Sequence, residues 1–141
     1  MKPVVVDASV AIKWLVSYRP EEADVDNAML LFNQIQSLET SMIQPPHFIA
    51  EMMAVAARLE LDYADRILLA VSNMEMRIID RSDVYRSAIR LSIQFKHHLF
   101  DTLYHAVALQ TSDALFITAD EAYYRKAKEI GRIMLLKDYL G

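Results

Sequence analysis

Short, apolar, β-branched runs alternate with helical stripes along this chain, and that alternation leaves few folds open. Val4–Val6 is the first run and it ends at Asp7. Ala8–Val16 follows with helical spacing, pairing Val10 with Trp14 and Ala11 with Leu15 one turn apart. Asp24–Leu38 repeats the stripe through Ala28, Leu31, Phe32, Ile35 and Leu38. Further on, the spacing predicts strands at Ser41–Ile43, Arg77–Ile79, Ala114–Thr118 and Ile133–Leu136. It predicts helices at Phe48–Leu59, Ala64–Met74, Val84–Phe95, Thr102–Gln110 and Glu121–Ile130. Asp101 reads as the residue that opens its helix, Ser82 or Asp83 as the cap of Val84–Phe95, and Gly131 as a stop. Short buried strands separated by helices imply a parallel sheet covered on both faces, with right-handed crossovers. Ligands in such sheets bind beyond the carboxyl ends of the strands, where the strand order reverses.

Composition narrows the chemistry. A length of 141 residues suits one domain spanning 1–141, and 54% hydrophobic residues rule out a disordered chain. Gly131 and Gly141 are the only glycines, which excludes a glycine-rich phosphate loop and a dinucleotide fingerprint. The absence of cysteine excludes disulfides and thiolate zinc sites. The apolar run after Met1 is too short for a secretory signal, and no stretch approaches the roughly 20 apolar residues of a membrane helix, so a cytoplasmic protein is expected. The net charge of −4 means that a polyanionic partner has to meet a local basic patch. Lys13, Arg19, Lys96, Arg125, Lys126 and Lys128 are the candidates, with Lys13 foremost because it follows Asp7 closely.

Four acidic residues stand out. Asp7 and Asp120 each follow a strand, and each also reads as an ordinary N-cap for the next helix. Asp101 begins a helix that is apolar almost throughout. Glu51 has Phe48, Ala54 and Val55 at i−3, i+3 and i+4, so it points along an apolar stripe, with His47 or Arg58 as a possible partner. Together these acids converge on one sheet edge. Carboxylates about 4 Å apart repel by about 4 kcal/mol at an effective dielectric near 20, and a divalent cation removes that cost. An all-oxygen donor set without cysteine points to Mg²⁺ or Mn²⁺, and such a site suits phosphoryl chemistry.

The segments Val5-Val6-Asp7-Ala8-Ser9-Val10, Pro46-His47-Phe48-Ile49-Ala50-Glu51, Phe100-Asp101-Thr102-Leu103-Tyr104-His105-Ala106-Val107-Ala108 and Ile117-Thr118-Ala119-Asp120 occur in that order. They resemble the four blocks of PIN domains, especially VapC-type toxins of toxin–antitoxin pairs, and the resemblance covers essentially the whole chain. It implies a three-layer α/β/α sandwich with strand order 3-2-1-4-5. It implies a Mg²⁺- or Mn²⁺-dependent endoribonuclease, a hydrolase of RNA phosphodiesters that forms a homodimer and is blocked by a cognate antitoxin. By the same resemblance Asp7, Glu51, Asp101 and Asp120 are catalytic. Asp7, Asp101 and Asp120 would be the metal ligands, with Glu51 acting through water or placing the attacking water. Ser9 and Thr118 would support the carboxylates or touch the phosphate. Glu121 would reach a second metal through water, or merely help its helix to start. His105 departs from the family, which often carries an aliphatic residue there. It lies one turn after Asp101, a ligand spacing, and a packed histidine is the preferred reading.

Trp14, Tyr18, Phe32, Met29, Met52 and Met53 would line a groove for an antitoxin helix, or form ordinary core, the preferred reading for most of them. Two other functions fit a strand ending in Asp. A Mg²⁺-dependent phosphatase of the haloacid dehalogenase type needs a second Asp two residues on, where this chain has Ser9. A catalytically silent partner-binding domain would have lost one of the acids, and all four are present.

Overall fold

The computed structural model describes residues 2–141; Met1, the start of the expected single domain and of the N-terminal run, lies outside the described residues. Five strands, β1 (Lys2–Val6), β2 (Thr40–Gln44), β3 (Arg77–Ile78), β4 (Leu115–Thr118) and β5 (Ile133–Leu135), form one all-parallel sheet in the order β3-β2-β1-β4-β5. Among the described residues seven α-helices connect them: α1 (Ala8–Ala11), α2 (Val25–Gln36), α3 (Phe48–Arg58), α4 (Ala64–Ser72), α5 (Ser82–Phe95), α6 (Leu99–Leu109) and α7 (Glu121–Ala127). This is the α/β/α sandwich expected from the sequence.

Val4, Val5 and Val6 are all buried although consecutive side chains point to opposite faces, so β1 is covered on both sides. α6 crosses β1, β2 and β4 with α5 packed behind it, while α2 packs on β2 and on the 3₁₀ turn Ile12–Trp14. Chain direction across the sheet reverses at β1: the first crossovers build outward through β2 to β3, and the chain then returns to lay β4 on the other side of β1.

Two local differences from the sequence reading affect the site. Helical spacing suggested one helix through Val16, but α1 closes after four residues and a 3₁₀ turn continues to Trp14. α6 starts at Leu99, two residues before Asp101, so Asp101 lies inside the first helical turn and does not open the helix. Likewise Arg81 is the N-cap of α5, with Ser82 and Asp83 already inside it.

The end of β1 is held by an unusual clasp. Beyond the paired Val4 and Met42, the side chain of the fully buried Gln44 continues the ladder. Val6 N donates to Gln44 Oε1 at 2.7 Å, and Gln44 Nε2 donates to the Val6 carbonyl at 2.8 Å. On the other side Asp7 N donates to the Ile117 carbonyl at 3.0 Å. Both backbone groups of Val6 are satisfied in the core, and the chain leaves the sheet at Asp7 with a defined direction.

Candidate active site

Asp7 caps α1 in an extended conformation, and its carboxylate bridges the ends of β1 and β4. Oδ1 accepts from Ser9 N at 3.4 Å, and Oδ2 accepts from Thr118 Oγ1 at 2.6 Å. Thr118 Oγ1 in turn accepts from Asp120 N at 3.0 Å, and Ser9 Oγ accepts from Ala119 N at 3.3 Å. Asp120 caps α7 through Oδ1, which accepts from Tyr123 N at 3.0 Å. Capping and site-building are therefore one arrangement: each cap uses one carboxylate oxygen and leaves the other directed elsewhere.

The remaining two acids arrive on helices. Asp101, in the first turn of α6, lies 3.0 Å through Oδ2 from His97 Nε2. The same Nε2 is 3.8 Å from Asp120 Oδ2, and one ligand atom from each of these three residues lies within 4.8 Å of the others. Glu51, in the first turn of α3, has His47 Nε2 3.2 Å from its Oε1. That nitrogen lies closer still, 2.7 Å, to the Phe100 carbonyl, so its N–H is directed there and Glu51 Oε1 is left buried without a donor. The hydroxyl of the fully buried Tyr104 is also without a partner, and it feels the charges of Glu51, Asp7 and Asp101.

The electrostatics show that the acids sense one another. Burial raises Asp7 to a pKa of about 6; the Asp101 and Glu51 charges add to the rise, while the Thr118 and Ser9 hydrogen bonds oppose it. Burial also raises Asp101, with Glu51 and Asp120 contributing, against the lowering effect of His97. Glu51 goes the other way: burial would raise it, but the approach of His47 and of the Tyr104 hydroxyl outweighs that effect. Burial, and then the charges of these acids, push both Tyr104 and Tyr123 well above the usual tyrosine range. These tyrosines stay neutral beneath an anionic cluster.

Several sequence expectations need correction. Lys13 does not face the cluster as a free cation. It is buried, with Nζ 3.1 Å from Glu22 Oε2 and donating to the Ala23 carbonyl at 2.9 Å. Glu121 turns outward, half-exposed, and pairs with Lys137 at 3.2 Å, so it helps to open α7 and stands apart from the other acids. Arg19 is held by Glu21 at 3.3 Å. His105, by contrast, is the packed histidine that the sequence favours: Nε2 donates to the Gly131 carbonyl at 2.8 Å, which leaves Nδ1 to accept from the Tyr123 hydroxyl at 2.9 Å. Burial lowers its pKa. Trp14, Phe32 and Met52 line an apolar cavity of about 430 Å³ with Phe48 and Met74, whereas Tyr18, Met29 and Met53 lie outside it. His97 joins the acids only in the folded structure. Its signal was in the sequence, since both His97–Asp101 and His47–Glu51 have i, i+4 spacing.

The sequence model of the PIN domain matches residues 4–129. The chain belongs to the PIN domain family. Solved structures share the fold of this PIN domain at low sequence identity. One is a toxin–antitoxin complex from Klebsiella pneumoniae, with TM-score 0.58 and 16% identity over 95% of this chain and 97% of that one. A second is VapBC2 from Rickettsia felis bound to a DNA fragment from its promoter, with TM-score 0.63 and 13% identity over 94% and 96%. A third, from Pyrobaculum aerophilum, has TM-score 0.66 and 16% identity over 97% and 90%. No curated protein matches the sequence.

The donor set of the PIN domain suits a divalent cation. Carboxylates raise one another's pKa, a buried Glu51 oxygen and the Tyr104 hydroxyl lack partners, and the oxygens come from four separate elements. The described residues also contain no helix long and apolar enough to cross a membrane.

Proposed function

We propose that this PIN domain is an endoribonuclease that depends on a divalent cation, Mg²⁺ or Mn²⁺, and that it is the toxin of a VapBC-type pair working in the cytoplasm. The observation that carries the reading is the cluster of acids at the β1/β4 switch point, where Asp7, Glu51 and Asp101 raise or feel one another's charge and Thr118 links Asp7 to Asp120. Asp7, Asp101 and Asp120 would hold the cation. Bound there, it supplies charge stabilisation for the phosphate and lowers the cost of ionising water.

The protein's own groups do the positioning. Thr118 fixes Asp7 Oδ2, and Ser9 holds the turn after β4 through the Ala119 amide. Glu51 Oε1, buried and without a donor, would reach the cation through water or orient the attacking water. Water adds to phosphorus, one ester P–O bond breaks, and the leaving oxygen takes up a proton. The phosphatase alternative loses support here, since the Ser9 hydroxyl is occupied with the Ala119 amide and no second Asp stands in its place.

The apolar cavity beside Trp14, Phe32 and Met52 supports a docked antitoxin helix. A homodimer belongs to the same reading and is checked by light scattering of the purified chain. The deciding experiment is mapping of RNA ends after induced expression, with Asp7→Asn as control. Metal-dependent cuts that vanish with Asp7→Asn support the reading. Cuts that persist, or release of phosphate from small esters without RNA cleavage, overturn it.

A further inference from the structure

An acidic chain that cuts RNA must hold the polyanion by a local cationic feature, and the structure separates the basic candidates. Lys13 and Arg19 are ion-paired. Arg125 and Lys128 are exposed and do not line the cavity beside the acids. Lys96 and Lys126 instead converge on one open polar cavity of about 620 Å³, lined also by Ser92, His97, His98 and Leu99. Among the described residues, neither lysine is paired with a carboxylate.

His97 is the wall shared by this cavity and the acidic cluster. Lys126 Nζ lies 3.2 Å from His97 Nδ1. An ammonium has donors only, so Nδ1 accepts and the ring proton stays on Nε2, where it faces Asp101 Oδ2 at 3.0 Å. His97 therefore acts as a donor that holds Asp101, and its nitrogen is not free for a cation, although its spacing to Asp101 and Asp120 would suit one. The amino end of α6 opens on the same cavity: its N-cap, His98, makes no side-chain capping bond. Cationic side chains and unsatisfied first-turn amides favour an anion.

We infer that the cavity between Lys96 and Lys126 binds a backbone phosphate of the RNA strand, the one flanking the phosphate that the acidic cluster cuts. The inference rests on the ribonuclease reading and extends it: carboxylates hold the reacting phosphate through a cation, and the adjoining lysines hold its neighbour directly. The two sites divide opposite charges across His97.

The test measures binding of a fluorescein-labelled single-stranded RNA by anisotropy in the Asp7→Asn background, across about 50 to 200 mM salt. Adding Lys96→Ala and Lys126→Ala should weaken binding at least about tenfold at the low-salt end and flatten the log–log salt slope by about 1.4, at 0.7 per lost contact. Arg125→Ala with Lys128→Ala removes the same charge outside the cavity and should leave the slope near that of the parent. With Asp7 intact, Mn²⁺ binding by Lys96→Ala alone, which keeps the Lys126–His97 contact, should match that of the unsubstituted chain. Retention of the parent's affinity and slope by the Lys96/Lys126 variant, or an equal loss in the Arg125/Lys128 control, overturns the cavity assignment; if the chain with Asp7 intact still cuts RNA, the ribonuclease reading survives. A parent that neither binds nor cuts RNA removes both.

Discussion

The first turns of α3 and α6 present the same local device, a histidine four residues before an acid, and the fold uses them differently. At α3 the His47 N–H is directed to the Phe100 carbonyl, and Glu51 Oε1 is left buried without a donor. At α6 the other ring nitrogen of His97 is taken by Lys126, and its N–H is left to Asp101. One acid thus keeps a buried oxygen without a donor, and the other is held by an imidazole N–H. Identical spacing gives two roles because the third partner, supplied by a distant element, decides where the imidazole proton points.

Asp7 feels the acids of both turns, so removing it is the strongest way to break the comparison. Asp7→Asn should abolish RNA cleavage, a loss greater than the roughly 100-fold that changes in supporting residues cost, with the far-ultraviolet circular dichroism spectrum unchanged. Full activity in a gel assay would remove Asp7 from the mechanism.

The pH dependence of cation-free protein sharpens the same point. The folded pKa of Asp7, about 6, lies above its ordinary 3.8, so the folded state binds this proton more tightly than the unfolded chain. The associated stability is fully present below the ordinary value and is lost as pH rises through about 6, a change of about 3 kcal/mol. Asp101, also raised, acts in the same direction, and Glu51, lowered, acts against it. Thermal melts in chelator from pH 4 to 7 should show falling stability, and Asp7→Asn should flatten the trend. A melting temperature that climbs over this window would contradict the shared-charge picture.

Thr118→Val deletes the buried hydroxyl that donates to Asp7 and accepts from Asp120 N. It should cost about 1–3 kcal/mol of stability, read from denaturant melts, and about 10- to 100-fold in Mn²⁺ affinity, read by calorimetry. The smallest effects compare the two turns directly. His97→Ala should weaken Mn²⁺ binding by about tenfold, because Asp101 loses its donor. His47→Ala should leave Mn²⁺ binding nearly unchanged and cost about 1 kcal/mol of stability, because what it loses is the bond to the Phe100 carbonyl. Equal effects of the two substitutions on Mn²⁺ would mean that the third partners do not matter.

Much of this arrangement was legible in the sequence. The valines of β1 and the stripe Ala28, Leu31 and Ile35 of α2 mark buried faces because periodicity and burial are local consequences of backbone geometry. Asp7 and Asp120 were visible because they stand where strands end. Other features were not legible. Lys13 lies close to Asp7 along the chain, yet Glu22 folds over and pairs with it. Glu121 adjoins Asp120 but pairs with Lys137. Gln44 looks like any strand-end residue until its amide is seen completing the β1 ladder.

The order of short apolar strands and helical stripes, and the acids at their ends, determined by themselves a parallel sheet with an acidic edge, since hydrophobic period and turn position are written residue by residue. Which cations remain free, which imidazole nitrogen keeps its proton and which carboxylate lacks a donor were decided only by tertiary structure. Each depends on a partner far away in the chain, and an electrostatic or hydrogen-bonding role exists only once that partner is within a few ångströms.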